Sequence, residues 1–187
     1  KCAFSISGSA LEQFDRYAPE VIESFKELAD TGCVEFVATP YSQSLASVYS
    51  ETEAVEQLQL QQAMVQELFG QHSTTICNTE LIYSDEIAIS LFQQGYKTVM
   101  TEGAKHVLSW KSPNYVYTNA SVPKMKLLLR NGNLSDELAF HFADPSWYNF
   151  PMDAEKYALQ LAALPEDEQV VNIWVGADTF GIRQHAT

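Results

Sequence analysis

The sequence lacks the apolar runs and the positive charge that membrane proteins and nucleic-acid-binding proteins use. Its longest apolar runs span only a few residues, whereas a helix needs about 20 to cross a bilayer. Eleven Lys and Arg residues stand against 24 Asp and Glu, which gives a formal net charge of −13. A field of that sign repels phosphate backbones and anionic lipid heads. We therefore expect neither a nucleic-acid partner nor a membrane partner.

Cysteine is also scarce. The three cysteines, Cys2, Cys33 and Cys77, are an odd number, and each lies in or beside a predicted strand. This favours buried free thiols over a disulfide framework and indicates a reducing compartment, so we expect a cytoplasmic location. The chain enters directly into a strand-like run at Lys1. We expect the N-terminus of the natural protein to lie upstream of it.

Several well-known site motifs are missing. The four histidines show neither an HExxH pattern nor a His-Asp cluster with ligand spacing, so we predict no catalytic metal. No GxSxG elbow, glycine-rich phosphate loop or Walker pattern occurs, which argues against the usual serine-hydrolase, dinucleotide and nucleotide-triphosphate sites. We predict no cofactor. Cys77 has no histidine at a motif spacing, so it is predicted to be a core thiol.

What the sequence does contain is an alternation of strands and helices. The predicted strands cover 1–7, 34–38, 74–78, 97–101, 124–130 and 170–175. The predicted helical stretches begin at Leu11 and end at Thr31-Gly32, and then cover 52–69, 84–94, 134–142 and 153–164. Pro19 divides the first helical stretch or kinks it. Strands that alternate with helices pair in parallel, and both an open doubly wound sheet and a closed barrel fit this order. With 187 residues, we expect one α/β domain.

Both folds place ligand chemistry after the carboxyl ends of the strands, where three acidic residues stand. A pair of carboxylates is the minimum set for cleaving a glycosidic bond. Glu80 is the first candidate for such a catalytic carboxylate. The alternative is that it is a surface glutamate that caps the next helix. Glu102 is a weaker candidate for the same role. Asp178 could cap a helix, accept a substrate hydroxyl or act as an acid, and the sequence does not rank these roles.

Aromatic side chains near these strand ends could contact a sugar. Tyr83 could orient Glu80 or stack on a sugar ring, and Trp110, in the long loop over 103–119, could form a platform for one. The alternative for this loop is that its aromatic residues, which include Tyr115 and Tyr117, pack onto the sheet to keep the loop ordered.

Four segments carry a resemblance to a known family. They are TGCVEF at 31–36, NTELIYSDEI at 78–87, TEGAKHVLSWKSPNY at 101–115 and LLLRNGNLSDELAF at 127–140. Together they resemble glycoside hydrolase family 57, specifically its α-amylase branch, over essentially the whole chain. The resemblance implies an incomplete parallel (β/α)7 barrel that acts on α-1,4-glucans or maltooligosaccharides by a retaining mechanism. It makes residues 1–187 the central part of one catalytic domain, without its first strand and C-terminal helices.

The resemblance also assigns roles. The family's nucleophile, in the NTELIY motif, falls on Glu80, whereas the family's acid aligns with Gly176, at the start of GADTFGIR. Asp178 is the nearest substitute, but an extended strand would place its carboxyl roughly 6–7 Å from that position, too far to hold the same geometry without a change in the backbone. Thr39 and Gln43 stand where the branch has a glutamate and a histidine, so two subsite groups have lost their charge.

Three hypotheses follow from this pattern. The first is a hydrolase that keeps Glu80 and is impaired by Gly176. The second is a noncatalytic α-glucan-binding or regulatory protein, in which Trp110 and Tyr83 stack on sugars and Asp178 accepts a hydroxyl. The third is a fully active amylase or glucanotransferase with Asp178 recruited as the acid. Turnover separates the first from the second.

Overall fold

The chain forms two compact units in a computed structural model that describes residues 2–180. The first unit comprises residues 2–101 and 117–127, and the second comprises residues 102–116 and 128–180. The division falls within strands β4 and β6, which are defined below. Strands and helices alternate along the chain, so the predicted α/β class is confirmed. A single catalytic domain stays a prediction.

Strands and helices alternate from the start of the first unit. Its elements, with the two strands that continue past it, are β1 (Cys2–Ser5), α1 (Gly8–Tyr17), α2 (Pro19–Asp30), β2 (Val34–Val37), α3 (Ala46–Tyr49), α4 (Glu51–Phe69), β3 (Thr75–Cys77), α5 (Asp85–Gln93), β4 (Thr98–Glu102), β5 (Tyr117–Thr118) and β6 (Lys126–Arg130). The short helix α3 and the short strand β5 were not predicted from the sequence.

The strands pair mainly in parallel. Strand β1 pairs with β2, and β3 pairs with β4, both in parallel register. A parallel bridge between Ala38 and Ile76 joins the end of β2 to β3. A four-stranded sheet has the order β3-β4-β6-β5, in which β5 runs antiparallel to β6. Parallel pairing is therefore confirmed, while the incomplete (β/α)7 barrel stays a prediction.

Local signals set most of the helix ends in this unit. Helix α1 ends at Tyr17 and α2 begins at Pro19, because proline has no N–H to donate and is tolerated only in the first turn. Helix α4 ends where Gly70 adopts φ 66°, a left-handed conformation that glycine takes at little cost. The Ser84 side chain accepts a hydrogen bond from the backbone N–H of Ile87 and so caps α5.

The core of the first unit contains an aromatic cluster formed by Phe4, Phe25, Phe36 and Phe69. Phe36 is 1% exposed and stacks on Phe69, with ring centroids 4.1 Å apart and an interplanar angle of 14°. Phe25 meets Phe36 edge-on at 5.8 Å. These rings join β1, β2, α2 and α4, so the cluster fixes helices against the first two strands.

A buried glutamine adds a polar link between the same elements. Gln61, on α4, is 0% exposed, and its Nε2 donates to the carbonyl of Ile6 at 3.1 Å. The same atom lies 3.5 Å from the carbonyl oxygen of Val37, and its Oε1 accepts from the N–H of Thr39 at 3.4 Å. The side chain thus satisfies backbone groups at the end of β2 and just beyond the ends of β1 and β2.

Gly8, the first residue of α1, allows Tyr41 to approach the helix closely. A Cβ at Gly8 would overlap ring atoms of Tyr41. The ring is held in place, since the backbone N–H of Ser9 donates to the carbonyl of Tyr41 at 3.1 Å. A hydrogen bond to Glu12 and burial raise the pKa of the Tyr41 hydroxyl to about 12. Gly8 is therefore required by packing.

Replacing Gly8 with alanine is expected to lower the free energy of unfolding by about 1–3 kcal/mol, because the new methyl group must displace the Tyr41 ring. Gly132→Ala is the matched control, since Gly132 also opens a helix. A Cβ there would lie 3.4 Å from Glu102 Oε1, an ordinary contact. This control should leave stability unchanged or raise it by up to about 1 kcal/mol. Equal urea midpoints for the two variants would contradict the packing argument.

The second unit contains three helices beyond the strand segments, namely α6 (Lys105–Leu108), α7 (Gly132–Asp136) and α8 (Ala154–Ala162). Helix α7 continues into a π-helical turn over Glu137–His141, so the helix predicted over 134–142 exists but changes its hydrogen-bond pattern midway. Helix α8 begins after Asp153, whose side chain accepts from the N–H of Lys156. This helix was predicted over 153–164.

The strand predicted over 170–175 is reduced to one parallel bridge between Arg130 and Asn172. Hydrogen bonds that involve side chains replace the missing strand-to-strand hydrogen bonds. Asn172 Nδ2 donates to the carbonyl of Leu129 at 3.1 Å, and Arg130 Nε donates to the carbonyl of Trp174 at 3.1 Å. The N–H of Trp174 in turn donates to Ser135 Oγ at 3.0 Å. Backbone groups satisfied in this way do not need a regular strand partner.

Candidate active site

Glu80 lies in a tight turn directly after β3. The turn spans Thr79–Leu81, and both Glu80 and Leu81 have left-handed backbones, with φ 52° and φ 56°. Residues other than glycine take this conformation rarely, and each instance costs on the order of 1–3 kcal/mol. The side chain of Glu80 is exposed. The predicted alternative, a glutamate that caps the next helix, is wrong, because the cap of α5 is Ser84.

Hydrogen bonds on both sides hold this turn in its strained form. Asn78 is buried, and its Nδ2 donates to Ser47 Oγ at 2.8 Å and to the carbonyl of Ile82 at 3.1 Å. Thr79 Oγ1 donates to the carbonyl of Ser44 at 2.8 Å. On the other side, the hydroxyl of Thr101, near the end of β4, donates to the carbonyl of Leu81 at 2.9 Å. Together these bonds compensate for the backbone strain and fix where the Glu80 side chain begins.

Tyr83 lies three residues further along, in a polar network. Its hydroxyl donates to Asp85 Oδ1 at 3.0 Å and accepts from Asn119 Nδ2 at 2.9 Å. Asn119 is 1% exposed and also donates to Asp85 Oδ1 at 3.0 Å. Burial, with the nearby Asp85 carboxylate, raises the pKa of Tyr83 to about 12, so the phenol remains a hydrogen-bond donor at neutral pH. The hydroxyl is thus engaged by Asp85 and Asn119, and the ring lines a cavity of about 430 Å³.

Thr39 and Gln43, the two positions with lost charge, flank another turn in the first unit. Thr39 is buried, and its N–H points at Gln61, as described above. Gln43 is exposed, with φ 50°, and its N–H donates to the carbonyl of Pro40 at 3.0 Å. A further non-glycine residue in the left-handed region, besides Glu80 and Leu81, therefore follows the carboxyl end of β2.

In the second unit, Arg130 organises the charges at the ends of β4 and β6. Its guanidinium bonds Glu102 Oε2 at 3.3 Å and also pairs with Asp136. The side chain of Arg130 is 14% exposed, and its Nε is occupied by the carbonyl of Trp174, as noted above. The carboxylate of Glu102 is therefore engaged by a cation, which leaves it less suited to the nucleophile role considered for it.

These charged groups line a polar cavity of about 740 Å³ within the second unit. Two buried asparagines form part of the wall, and Asn131 Nδ2 donates to Asn114 Oδ1 at 3.1 Å. Asn114 Nδ2 in turn donates to Glu168. Lys105 Nζ donates to Asn133 Oδ1 at 3.2 Å. Such paired donors and acceptors can bind hydroxyl groups of a neutral polar ligand.

Gly176 and Asp178 lie on a tight turn rather than on a strand. The turn spans Ala177–Thr179, and the N–H of Thr179 donates to the carbonyl of Gly176 at 3.0 Å. Thr179 is 1% exposed and anchors the turn. The expectation that Asp178 stands two residues along an extended strand is therefore wrong, because the chain bends back after Gly176.

Trp110 is 87% exposed, so most of its surface is open to solvent. It follows Ser109, which has φ 57°. The loop over 103–119 does not pack all its aromatic residues, although the Tyr115 hydroxyl donates to Asp167 and Tyr117 belongs to β5. A role for Trp110 as a sugar platform stays a prediction.

The cysteines differ in burial. Cys77 is buried, and burial raises the pKa of its thiol to about 12, which agrees with the predicted core thiol. Cys2 and Cys33 are exposed free thiols, so the expected burial is wrong for both. Cys2 begins β1 and Cys33 immediately precedes β2, where side chains lie at the ends of the strands.

Two observations concern metals and membranes. Between residues 2 and 180, no cluster of three or more His, Cys, Asp or Glu side chains is arranged to hold a metal ion. The helices in that same part of the chain are each too short or too polar to traverse a bilayer.

Sequence reasoning missed the network around Arg130. A signal was present, since Arg130 closes the apolar run of β6 at a strand end, where functional side chains are expected. Asp136 and Asn119 carried no comparable signal. Each is brought to its partner by a turn or helix whose course depends on the folded structure.

Comparison with known proteins places these observations in a family. The model of the family described as "Glycosyl hydrolase family 57" matches residues 1–187. A protein of Methanocaldococcus jannaschii named "Putative alpha-amylase" is 40% identical over 182 residues, which cover 97% of this chain and 38% of that protein. The chain thus spans well under half the length of this relative.

Solved structures show the same fold. The 4-alpha-glucanotransferase from Thermococcus litoralis has a TM-score of 0.74 at 15% identity, over 92% of this chain and 26% of that chain. The GH57-type branching enzyme from Pyrococcus horikoshii has a TM-score of 0.55 at 18% identity, over 80% of this chain and 31% of that chain. At this identity, the likeness concerns the fold.

Proposed function

Because this chain belongs to glycoside hydrolase family 57, we propose that the protein is an α-amylase-type glycoside hydrolase that acts on α-1,4-glucans, with Glu80 as its nucleophile. The observation that carries the proposal is the strained turn at Glu80, directly after a parallel strand. Two successive left-handed residues persist only where surrounding bonds demand them, and such strain is concentrated at functional sites. The side chain is exposed, as a group that meets a polymeric substrate must be.

The proposed reaction is a double displacement. The Glu80 carboxylate attacks the anomeric carbon, and the bond from that carbon to the departing sugar oxygen breaks. Water then hydrolyses the glucosyl ester and regenerates the carboxylate, so the anomeric configuration is retained. The departing oxygen needs a proton, and positioned proton transfer contributes typically about 10²–10⁴-fold in rate. Gly176 stands at the family's acid position and has no proton to give, so this step is expected to be impaired.

Substrate contacts follow from the side chains described above. Tyr83 presents a ring at the wall of its cavity and Trp110 presents an open ring to solvent, and both are suited to stacking on sugar faces. Asp178 is proposed to contact substrate as well. The uncharged Thr39 and Gln43 are expected to weaken binding at the subsites where the α-amylase branch has a glutamate and a histidine.

The test is the stereochemistry of turnover by the full-length protein. Maltoheptaose should be cleaved to shorter maltooligosaccharides, and proton NMR recorded within minutes should show the α-anomer of the new reducing end before mutarotation. A β-anomer appearing first would contradict a Glu80 nucleophile, since a single displacement inverts the configuration. Binding of maltoheptaose by calorimetry without any turnover would favour the noncatalytic glucan-binding alternative.

A further inference from the structure

The carboxylate of Asp178 occupies the space that a side chain at residue 176 would fill. A Cβ at Gly176 would overlap Asp178 Oδ1, and Asp178 Cγ would lie 3.6 Å from it. The oxygen stands about as far from that Cβ position as the oxygens of an aspartate at 176 would stand from their own Cβ. The glycine is therefore matched to a carboxylate that arrives from two residues further along the chain.

The turn over Ala177–Thr179 explains how the carboxylate reaches this place. In an extended strand, residues two apart are separated by roughly 6–7 Å. Here the N–H of Thr179 donates to the carbonyl of Gly176 at 3.0 Å, which closes a tight turn and folds Asp178 back over the glycine. Thr179 is buried and holds the turn down. The separation that made Asp178 a poor substitute in the sequence is thus removed.

We propose that Asp178 replaces the residue-176 side chain as the general acid of this protein, an inference that rests on the proposed function above. In the first step, the carboxylic acid of Asp178 gives its proton to the glycosidic oxygen as the bond to the anomeric carbon breaks. In the second step, the resulting carboxylate takes a proton from the water that hydrolyses the glucosyl ester. The proton lost in the first step is regained in the second, so Asp178 returns to its acid form.

A carboxylate held in this way approaches the glycosidic oxygen from a different direction than the family's acid does. An aspartate at 176 would start from the backbone of residue 176, whereas Asp178 reaches the same space from the far side of a turn. The oxygen is retained but its approach direction is changed, and proton transfer depends on direction as well as distance. We therefore expect a slower acid step than in an enzyme with aspartate at 176.

The experiment compares two substrates that differ in their need for an acid. Maltotetraose has a poor leaving group that must be protonated, whereas 2,4-dinitrophenyl α-maltoside releases a phenolate that needs no proton. Asp178→Asn in the full-length protein should lower kcat/KM for maltotetraose by about 10²–10⁴-fold. The same variant should change kcat/KM for the dinitrophenyl substrate much less. Glu166→Gln, at an exposed acidic residue of the same unit, removes the same charge and serves as the control.

A second variant tests whether the acid works equally well when its carboxyl belongs to residue 176. In Gly176→Asp/Asp178→Gly, a carboxyl is returned to residue 176 and its competitor is removed. This double variant should cleave maltotetraose at least as fast as the parent protein. Gly176→Asp alone places a Cβ against Asp178 Oδ1 and must displace that carboxylate. Circular dichroism melts, compared with the melt of Glu166→Gln, show whether each variant is folded. If Asp178→Asn is unfolded, the double variant tests the proposal instead.

The outcomes separate this inference from the proposed function. If Asp178→Asn slows both substrates equally or neither of them, Asp178 is not the acid, even where Glu80 is still needed for turnover. If the parent cleaves the dinitrophenyl substrate but not maltotetraose, the acid role of Asp178 is likewise overturned and the nucleophile stands. If the dinitrophenyl substrate is cleaved equally with and without Glu80, the proposed function itself fails.

Discussion

Replacing Glu80 by alanine is expected to slow cleavage of maltooligosaccharides by about 10⁴-fold or more, the scale on which hydrolases lose rate when their nucleophile is removed. The reason is that alanine leaves no group to attack the anomeric carbon, and the covalent intermediate cannot form. Kinetics of the full-length protein on 2,4-dinitrophenyl α-maltoside measure this step directly, because that substrate does not depend on the acid.

Azide gives this prediction a signature that loss of folding would not produce. With the side chain of Glu80 truncated, an azide ion can enter the vacated space and attack the anomeric carbon once. Rate should rise with azide concentration in Glu80→Ala and not in the parent protein. The product should be β-maltosyl azide, because a single attack inverts the α-linkage. An α-azide would contradict the assigned face of attack.

The control for Glu80→Ala is another exposed glutamate of the first unit. Glu56 lies on α4 and is exposed, so Glu56→Ala changes the same side chain away from the strained turn. It should keep the parent's activity and show no azide effect. Activity of Glu80→Ala within tenfold of this control would remove Glu80 from the mechanism.

The position of Glu80 could be predicted from the sequence, but its conformation could not. The predicted strand over 74–78 placed Glu80 just beyond a strand end, where α/β folds carry their chemistry. The left-handed backbone depends on Ser44, Ser47 and Thr101, which are distant in sequence and reach the turn only in the folded unit. Sequence patterns carry no signal for bonds of this kind.

The same distinction holds for the fold. Pro19, Gly70 and Ser84 act through their own backbone or cap chemistry, so the helix ends that they set could be predicted. The strand predicted over 170–175 has the right apolar pattern, yet its backbone groups are satisfied by side chains such as Arg130 and Ser135. Periodicity does not distinguish these partners from a neighbouring strand.

Asp178 shows how a local turn changes a functional inference. From the sequence, its distance from Gly176 followed from extended geometry, and the carboxyl was too far away to replace an acid there. One hydrogen bond, from the N–H of Thr179 to the carbonyl of Gly176, changes that distance. Glycine at 176 is then a requirement of the arrangement, since any other residue would compete for the same space.

Phe36→Ala is expected to lower the free energy of unfolding by about 3–5 kcal/mol, a large part of the roughly 5–15 kcal/mol that typically stabilises a protein. Phe36 is 1% exposed, and it contacts the rings of Phe4, Phe25 and Phe69 within 6 Å between centroids. Its removal leaves a cavity among rings that cannot all collapse into it. The melting temperature, followed by circular dichroism, should fall by roughly 10 °C.

The effect should reach the site as well. The chain runs from Phe36 on β2 to Ala38, and the bridge between Ala38 and Ile76 joins it to β3, the strand that precedes Glu80. Phe36→Leu refills part of the cavity and should recover a part of the lost stability. Tyr49→Ala is the control for loss of an aromatic ring, since Tyr49 is 83% exposed, and it should change stability by no more than about 0.5 kcal/mol. If Phe36→Ala melted together with Tyr49→Ala, the aromatic cluster would not be what fixes α2 and α4 against the first two strands, and the support of the Glu80 turn would have to come from the polar bonds alone.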